Sequence, residues 1–321
     1  MDVWVGVTDN EWYHFLASHQ PDEVNFWQPS GTPPFRREDI ELFLFKLHSP
    51  YNFIVGGGYF VTYVNLPVSI AWETFGHKNG VASYTELKEK ISHYRATRRH
   101  GYHLDPDIGC SVLTNPFFFP EDEWIPIPQD WSSNIVRGKT YTSSTDVGKK
   151  LIDDVLEKIT RIEALKSVAV KQKTQPQHKS SNSIKEQIDR YGREQVFRPR
   201  LGQGSFRAVV TRAYQKRCAM TGERTLPALE AAHIQSYSEN GPHDVRNGLL
   251  LRADLHRLFD KHFITVTTDC RIEVSNRIRE EYENGRDYYA LHGKHLVVLP
   301  EQEQLLPSPQ FLEWHNNQFT P

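Results

Sequence analysis

The sequence predicts an α+β protein in two parts, on three observations. Runs rich in β-branched and aromatic residues dominate the first half. A helical apolar pattern over 146–165 closes that half, and a polar stretch over 170–199 follows it. Beyond that stretch, two short apolar strands separated by a polar Gly/Pro-containing loop lead into a helix. The 321 residues amount to about two domains. The boundaries fall at 1–168, a basic linker at 169–199, and 200–321.

In the first half, strands are predicted at 3–7, 41–47, 53–67 and 108–113, and helices at 9–16, 67–75 and 84–96. Three consecutive glycines, Gly56 to Gly58, sit inside the third strand. They point to a bulge or to the close approach of another backbone. No Gly-Lys-Ser/Thr follows, so this is not a phosphate loop. The closing helix places Val147, Leu151, Ile152, Val155, Leu156, Ile159, Ile162 and Leu165 at helical spacing. The linker is short of aliphatics and holds one short helical pattern at 184–191.

Composition narrows the function classes. Hydrophobic residues make up 38% and charged residues 24%, which excludes wholesale disorder. Three scattered cysteines provide neither a disulfide framework nor a CxxC zinc site. The first residues lack the pattern of a signal peptide, and no apolar run reaches the ~20 residues of a membrane span. A soluble, reduced, cytoplasmic protein is expected. The net charge of −2 argues against coating nucleic acid by charge alone, but it hides an asymmetry. Residues 1–150 carry a balance of −5 and residues 151–321 one of +3, with ten basic against four acidic residues over 185–224.

The second half carries the chemistry. Over 202–223 a helical pattern turns Phe206, Val209, Val210 and Tyr214 inward. A strand at 229–234 ends on His233, and a polar loop runs to Arg246-Asn247-Gly248. The apolar run Leu249 to Leu251 then leads into a helix at 253–260 that contains His256. In the nucleases that this order resembles, phosphodiester hydrolysis needs a proton acceptor that works near neutral pH, which suits a histidine on a rigid strand end. It needs a cation at the phosphate, which a helix-borne ligand can anchor. The loop between them must be pinned, and an Asn amide can tie two backbone groups at once.

This order resembles the HNH signature of the ββα-metal nucleases. The resemblance implies that His233 is the general base, Asn247 the loop organiser and His256 a ligand of one divalent ion, Mg or Mn, per site. Where many relatives carry a metal-binding Asp, this chain has Ala232, and the zinc-knuckle cysteines are missing. The combination Ala-Ala-His-Ile, Asn-Gly-Leu and Leu-His-x-Leu-Phe-Asp after a Cys-Ala-x-Thr-Gly turn is the normal form of one branch. Asp260, four residues beyond His256, is either a second ligand or a helix-end residue bonding nearby backbone. His243 and His262 are either solvated loop residues or alternative ligands.

The first half resembles the PUA-like β-barrels of the EVE type, modules coupled to HNH nucleases in prokaryotic modification-dependent restriction enzymes. That implies a reader that flips a 5-modified cytosine, methylated or hydroxymethylated, out of double-stranded DNA. In the loop-like stretch 25–31, Trp27 offers a stacking face, with Asn25, Ser30 and Phe35 as pocket neighbours. The alternative is a Pro-fixed loop whose Trp caps the core. Arg198, Arg200, Arg207, Arg212, Lys216 and Arg217 are candidate DNA-backbone contacts or an ordinary solvated face. Cutting both strands needs a homodimer or sequential nicks. Phe311, Trp314 and Phe319 either complete the nuclease core or make a dimer contact. Two rivals remain: an HNH nuclease whose first half reads sequence, shape or a partner, and a non-catalytic PUA-like binder.

Overall fold

The computed structural model describes residues 1–35, 40–96, 104–174 and 201–321. The helical pattern at 184–191 lies outside them. From the N-terminus the elements run β1 (Asp2–Thr8), α1 (Asn10–His19), β2 (Glu23–Gln28), β3 (Ile40–Leu47), β4 (Phe53–Pro67), α2 (Val68–Phe75) and α3 (Tyr84–Ala96). Next come β5 (Asp107–Phe118), β6 (Ile125–Pro126), β7 (Gly138–Thr142), α4 (Asp146–Thr174) and α5 (Gln203–Ala213). The remainder is β8 (Leu229–His233), β9 (Gly248–Arg252), α6 (Ala253–Asp260), β10 (Ile264–Val266), β11 (Ile272–Val274), α7 (Arg277–Tyr282), α8 (Arg286–Tyr289) and α9 (Pro309–Asn316). The chain is α+β, and it divides into two compact units that do not follow chain order.

The first unit comprises Met1–Gln20, Pro34–Phe60 and Asn115–Arg200. Its strands form a mixed sheet, with β1 parallel to β3 and antiparallel to β7. The Asp9 carboxylate accepts from the Trp12 N–H at 2.9 Å and caps α1, worth about 1 kcal/mol. Leu151, Ile152, Val155 and Ile159 of α4 bury against Val3, Val5, Leu42 and Leu44. Val147 and Leu156 stay exposed, so the buried stripe of α4 is narrower than its apolar spacing predicts. The triple glycine meets both expectations. Pairing of β3 with β4 shifts register between Phe45 and Lys46. A Cβ on Gly56 would lie 2.2 Å from the Phe117 carbonyl oxygen, and one on Gly57 2.5 Å from that of Phe43.

The second unit comprises Pro21–Pro33, Val61–Thr114 and Leu201–Pro321. Residues from the first half of the sequence therefore share one body with the second half. Here β2 pairs antiparallel with β5, from Glu23 opposite Thr114 to Gln28 opposite Gly109. This corrects the loop expected at 25–31: residues 25–28 are strand, because the β5 ladder takes up their backbone groups. β8 and β9 pair antiparallel from Leu229 opposite Arg252 to His233 opposite Gly248. Leu255 and Phe259 of α6 are fully buried, each contributing roughly 1.5–3 kcal/mol. Phe206, Val210 and Tyr214 of α5 point into the same core, as predicted. So do Leu296, Val298 and Leu312, so the C-terminal segment completes this core. Among the described residues, no helix is long and apolar enough to cross a membrane.

Candidate active site

The β8–β9 pair and α6 form a small platform, and the sequence explains how its groups come together. Strand β8 ends on His233, opposite Gly248 at the start of β9. Asn247, fully buried, precedes that glycine. Its Oδ1 accepts from the Gln235 N–H at 2.8 Å, and its Nδ2 donates to the carbonyls of Gln235 at 3.0 Å and Pro242 at 2.9 Å. The loop that leaves His233 is thus tied to the strand that returns, the role expected of an Asn amide.

His233 stacks face to face on Phe206 of α5, with ring centroids 3.8 Å apart and planes at 10°. Its Nε2 lies 3.0 Å from Nδ1 of His243. Tyr237 in turn stacks on His243 at 4.6 Å and 13°. Burial, with His243 and His256 close by, pulls His233 down to about 4. Burial also lowers His243, against the opposing charge of Glu23. Both rings are therefore neutral at pH 7, the state a proton acceptor requires.

His256 lies in a contrasting setting. Its Nδ1 is 2.6 Å from Glu230 Oε2 and its Nε2 is 3.3 Å from Asp260 Oδ2. Burial alone would lower it, but the hydrogen bonds to Asp260 and Glu230 outweigh burial and hold it above the ordinary imidazole range. Glu230 was not singled out in the sequence. The signal was there: it lies two residues before Ala232, the position where relatives carry Asp, and residues two apart share a strand face.

Among the described residues, no three His, Cys, Asp or Glu side chains form a ready-made metal cage. A hard cation such as Mg²⁺ keeps several waters and needs only one or two protein ligands. His256 Nε2 and Asp260 fit that demand, since 3.3 Å is close to the ~3 Å between neighbouring ligands of an octahedral ion. Glu230 then occupies the place of the carboxylate that commonly orients a metal-binding histidine through its other N–H.

Phe206, Glu230, His233, Tyr237, His243, His256 and Asp260 line one cleft of about 1120 Å³, entirely within the second unit, while Asn247 is buried behind it. His262, Trp314 and His315 line it as well. Burial drives His315 down to about 4, and its ring stacks on Phe259 at 3.7 Å. The lining holds Asp22, Glu73, Glu230, Glu239 and Asp260 against one arginine, Arg207.

The DNA-backbone candidates that are described each have their own surroundings. Arg207 reaches the cleft but pairs with Glu73 at 3.0 Å. Arg212 donates to Thr62 at 3.0 Å, Lys216 pairs with Asp107 at 3.5 Å, and Arg217 is half-buried with its Nε unpartnered. Arg198 and Arg200 lie outside the described residues. Asn25 is fully buried and donates to Asn79 Oδ1 at 2.9 Å. The Trp27 N–H donates to the Asn79 carbonyl at 2.9 Å. Ser30 belongs to the same unit, whereas Phe35 belongs to the other, beside Trp4 and Phe60.

One further residue, absent from the sequence reading, supports the site. Glu23 of β2 is buried and accepts from the N–H groups of Gly204 and Ser205 at 2.9 and 2.8 Å, from Ser205 Oγ at 2.5 Å, and from Lys78 at 2.8 Å. It caps the N-terminus of α5, where unpaired N–H groups and the helix dipole favour a carboxylate. A Cβ on Gly202 or Gly204 would come within 2.6 or 2.7 Å of that carboxylate, which accounts for the Gly-Gln-Gly sequence. The helix so anchored carries Phe206, on which His233 rests.

Residues 218–267 match a family model described as HNH endonuclease, which spans His233, Asn247, His256 and Asp260. No curated protein matches the chain. Among solved structures it is similar to a modification-dependent TagI restriction endonuclease, with 20% identity, 36% of this chain covered and a TM-score of 0.27. The match spans 38% of that chain's length. It is also similar to the ZmASCH protein from Zymomonas mobilis, at 10% identity and a TM-score of 0.31, covering 46% of this chain and 94% of that one.

Proposed function

We propose that this protein is a metal-dependent endodeoxyribonuclease that acts on double-stranded DNA carrying a 5-modified cytosine. The observation that carries the nuclease part is the convergence of a neutral His233, an Asn247-tied loop and the His256–Asp260 pair on one cleft. His233 takes the proton of the attacking water. Asn247 holds the strand end that presents His233. A divalent cation, Mg or Mn, held by His256 and Asp260 would offset the charge that develops at the scissile phosphate. The lining agrees with that need, because its one arginine, Arg207, is already paired with Glu73 and leaves no free arginine or lysine among the described residues of the cleft to meet a phosphate.

The modification part rests on the resemblance of the first half to PUA-like barrels of the EVE type and on a physical division of labour. A cutting site contacts phosphate and sugar, which carry little sequence information. Selectivity then has to come from a reader, and a flipped base exposes its 5-substituent. An apolar pocket separates a methyl from a hydrogen by only about 10- to 200-fold, so some cutting of unmodified DNA is expected. In this reading residues 1–168 supply the reader and 200–321 the nuclease, with a homodimer or successive nicks cutting both strands.

A second reading, a nuclease whose first half reads sequence, shape or a partner, is favoured by one observation: Asn25 and the Trp27 N–H are already committed to Asn79. Cleavage of matched duplexes containing cytosine, 5-methylcytosine or 5-hydroxymethylcytosine, with Mg²⁺ or Mn²⁺, decides between them. The proposal expects faster cutting of modified DNA, and loss of cutting in His233→Ala by about 100-fold or more with binding retained. Equal rates on all three duplexes remove the modification reader. Undiminished cutting by His233→Ala removes His233 as the proton acceptor.

A further inference from the structure

Two ring nitrogens 3.0 Å apart cannot both present lone pairs, so the contact between His233 Nε2 and His243 Nδ1 contains one shared hydrogen. Its location decides what His233 can do. With the hydrogen on His243, the His233 Nε2 lone pair is consumed and its own proton sits on Nδ1, leaving no free acceptor on the ring. With the hydrogen on His233 Nε2, the Nδ1 lone pair is free. Only the second arrangement gives a base.

We infer that His243 is a positioning residue for the proton acceptor: its Nδ1 accepts the His233 Nε2–H and thereby fixes the tautomer whose Nδ1 faces the attacking water. The inference rests on the nuclease reading above. Three features of the site support it. The rings are held from both outer sides, His233 by Phe206 and His243 by Tyr237, so the contact is braced by stacking. Asn247 ties Gln235 to Pro242, which fixes the loop between the two histidines at both ends. Burial keeps the pair neutral. The charged groups facing it are His256 and Asp260 from α6, toward His233, and Glu23 from β2, toward His243.

In the step itself, the water oxygen bonds to phosphorus as the bond to the leaving oxygen breaks, and the leaving oxygen keeps the electron pair and takes a proton from solvent. The water proton passes to His233 Nδ1. The imidazolium so formed keeps its Nε2–H on His243, whose lone pair stabilises the new charge. This is the general pattern of a base oriented by a third group.

The test uses the full chain with His243→Phe, which keeps an aromatic ring between Phe206 and Tyr237 but removes the acceptor, and His243→Asn, whose Oδ1 can still accept. Steady-state cleavage with Mn²⁺ should show kcat lowered by about 100-fold in His243→Phe with KM nearly unchanged, and recovery to within about tenfold in His243→Asn. Long-range ¹H–¹⁵N spectra of histidine-labelled protein should show His233 protonated at Nε2 in the wild type and in His243→Asn, and a tautomer mixture in His243→Phe. Wild-type protein with His233 protonated at Nδ1, or His243→Phe with undiminished kcat, overturns the assignment. The spectra need no activity. If cutting does not depend on His256, the cation-site part of the nuclease reading fails while the tautomer still decides the role of His243.

Discussion

Two histidines of one cleft are driven in opposite directions. His233 lies among aromatic rings and a second imidazole, and burial keeps it neutral. His256 lies between two carboxylates, which raise its affinity for a proton despite burial. The proposed roles need unlike imidazoles. A proton acceptor must be neutral and held in one tautomer. A cation ligand benefits from a carboxylate on its far nitrogen.

The largest effect should come from breaking the His256 side at Glu230. Glu230→Gln removes the charge behind Nδ1 and should weaken Mn²⁺ binding by about 10- to 100-fold, measured by calorimetric titration above the pH at which His256 loses its proton. The pH dependence has a definite sign. Because His256 is held above the ordinary range, the cation displaces a proton, and wild-type affinity should climb as pH rises through that region. The variant should climb less, since its imidazole gives up the proton more easily. Identical affinity and slope in the two proteins would deny Glu230 its orienting role.

The two sides also differ in how far the sequence discloses them. His233, Asn247 and His256 sit on elements with clear signals: a short apolar strand, an Asn-Gly step and a helix whose predicted limits, 253–260, match α6. Helix α3 is likewise found where its pattern places it. His243 is different, being one of fifteen histidines and sitting in a polar loop with no periodicity, so only the fold shows what it faces. Glu23 is hidden more deeply. Its partners lie 181 and 182 residues away, and nothing local marks a strand carboxylate as a helix cap. The same limit explains the missed strand β2. Asn25 is a polar residue that becomes buried only because Asn79 meets it.

Glu23 offers the next way to sharpen the comparison, since it supports the His233 side alone through α5. Glu23→Gln leaves buried N–H and hydroxyl donors poorly matched and should cost about 1–3 kcal/mol in urea unfolding. Ser205→Ala removes one hydroxyl donor and should cost less, about 0.5–1.5 kcal/mol. A Glu23→Gln protein as stable as the wild type would show that the cap contributes nothing to holding α5.

In stability against pH, the two histidines again oppose each other. Unfolded His233 titrates near 6.5, whereas the folded residue titrates at about 4. Between these values the unfolded chain binds a proton that the folded one refuses, so this residue costs stability as pH falls from about 6.5 to 4. His315, also at about 4, acts in the same direction and window. His256 acts the other way: its raised value adds stability below about 6.5 that is lost as pH rises through its folded value. The wild-type melting temperature, measured without added cation, should therefore fall between pH 6.5 and 4. His233→Phe removes one acid-sensitive group and keeps a ring against Phe206, so its fall should be shallower. Parallel curves would mean that His233 is not held neutral by the fold, and the contrast between the two sides of the cleft would lose its electrostatic basis.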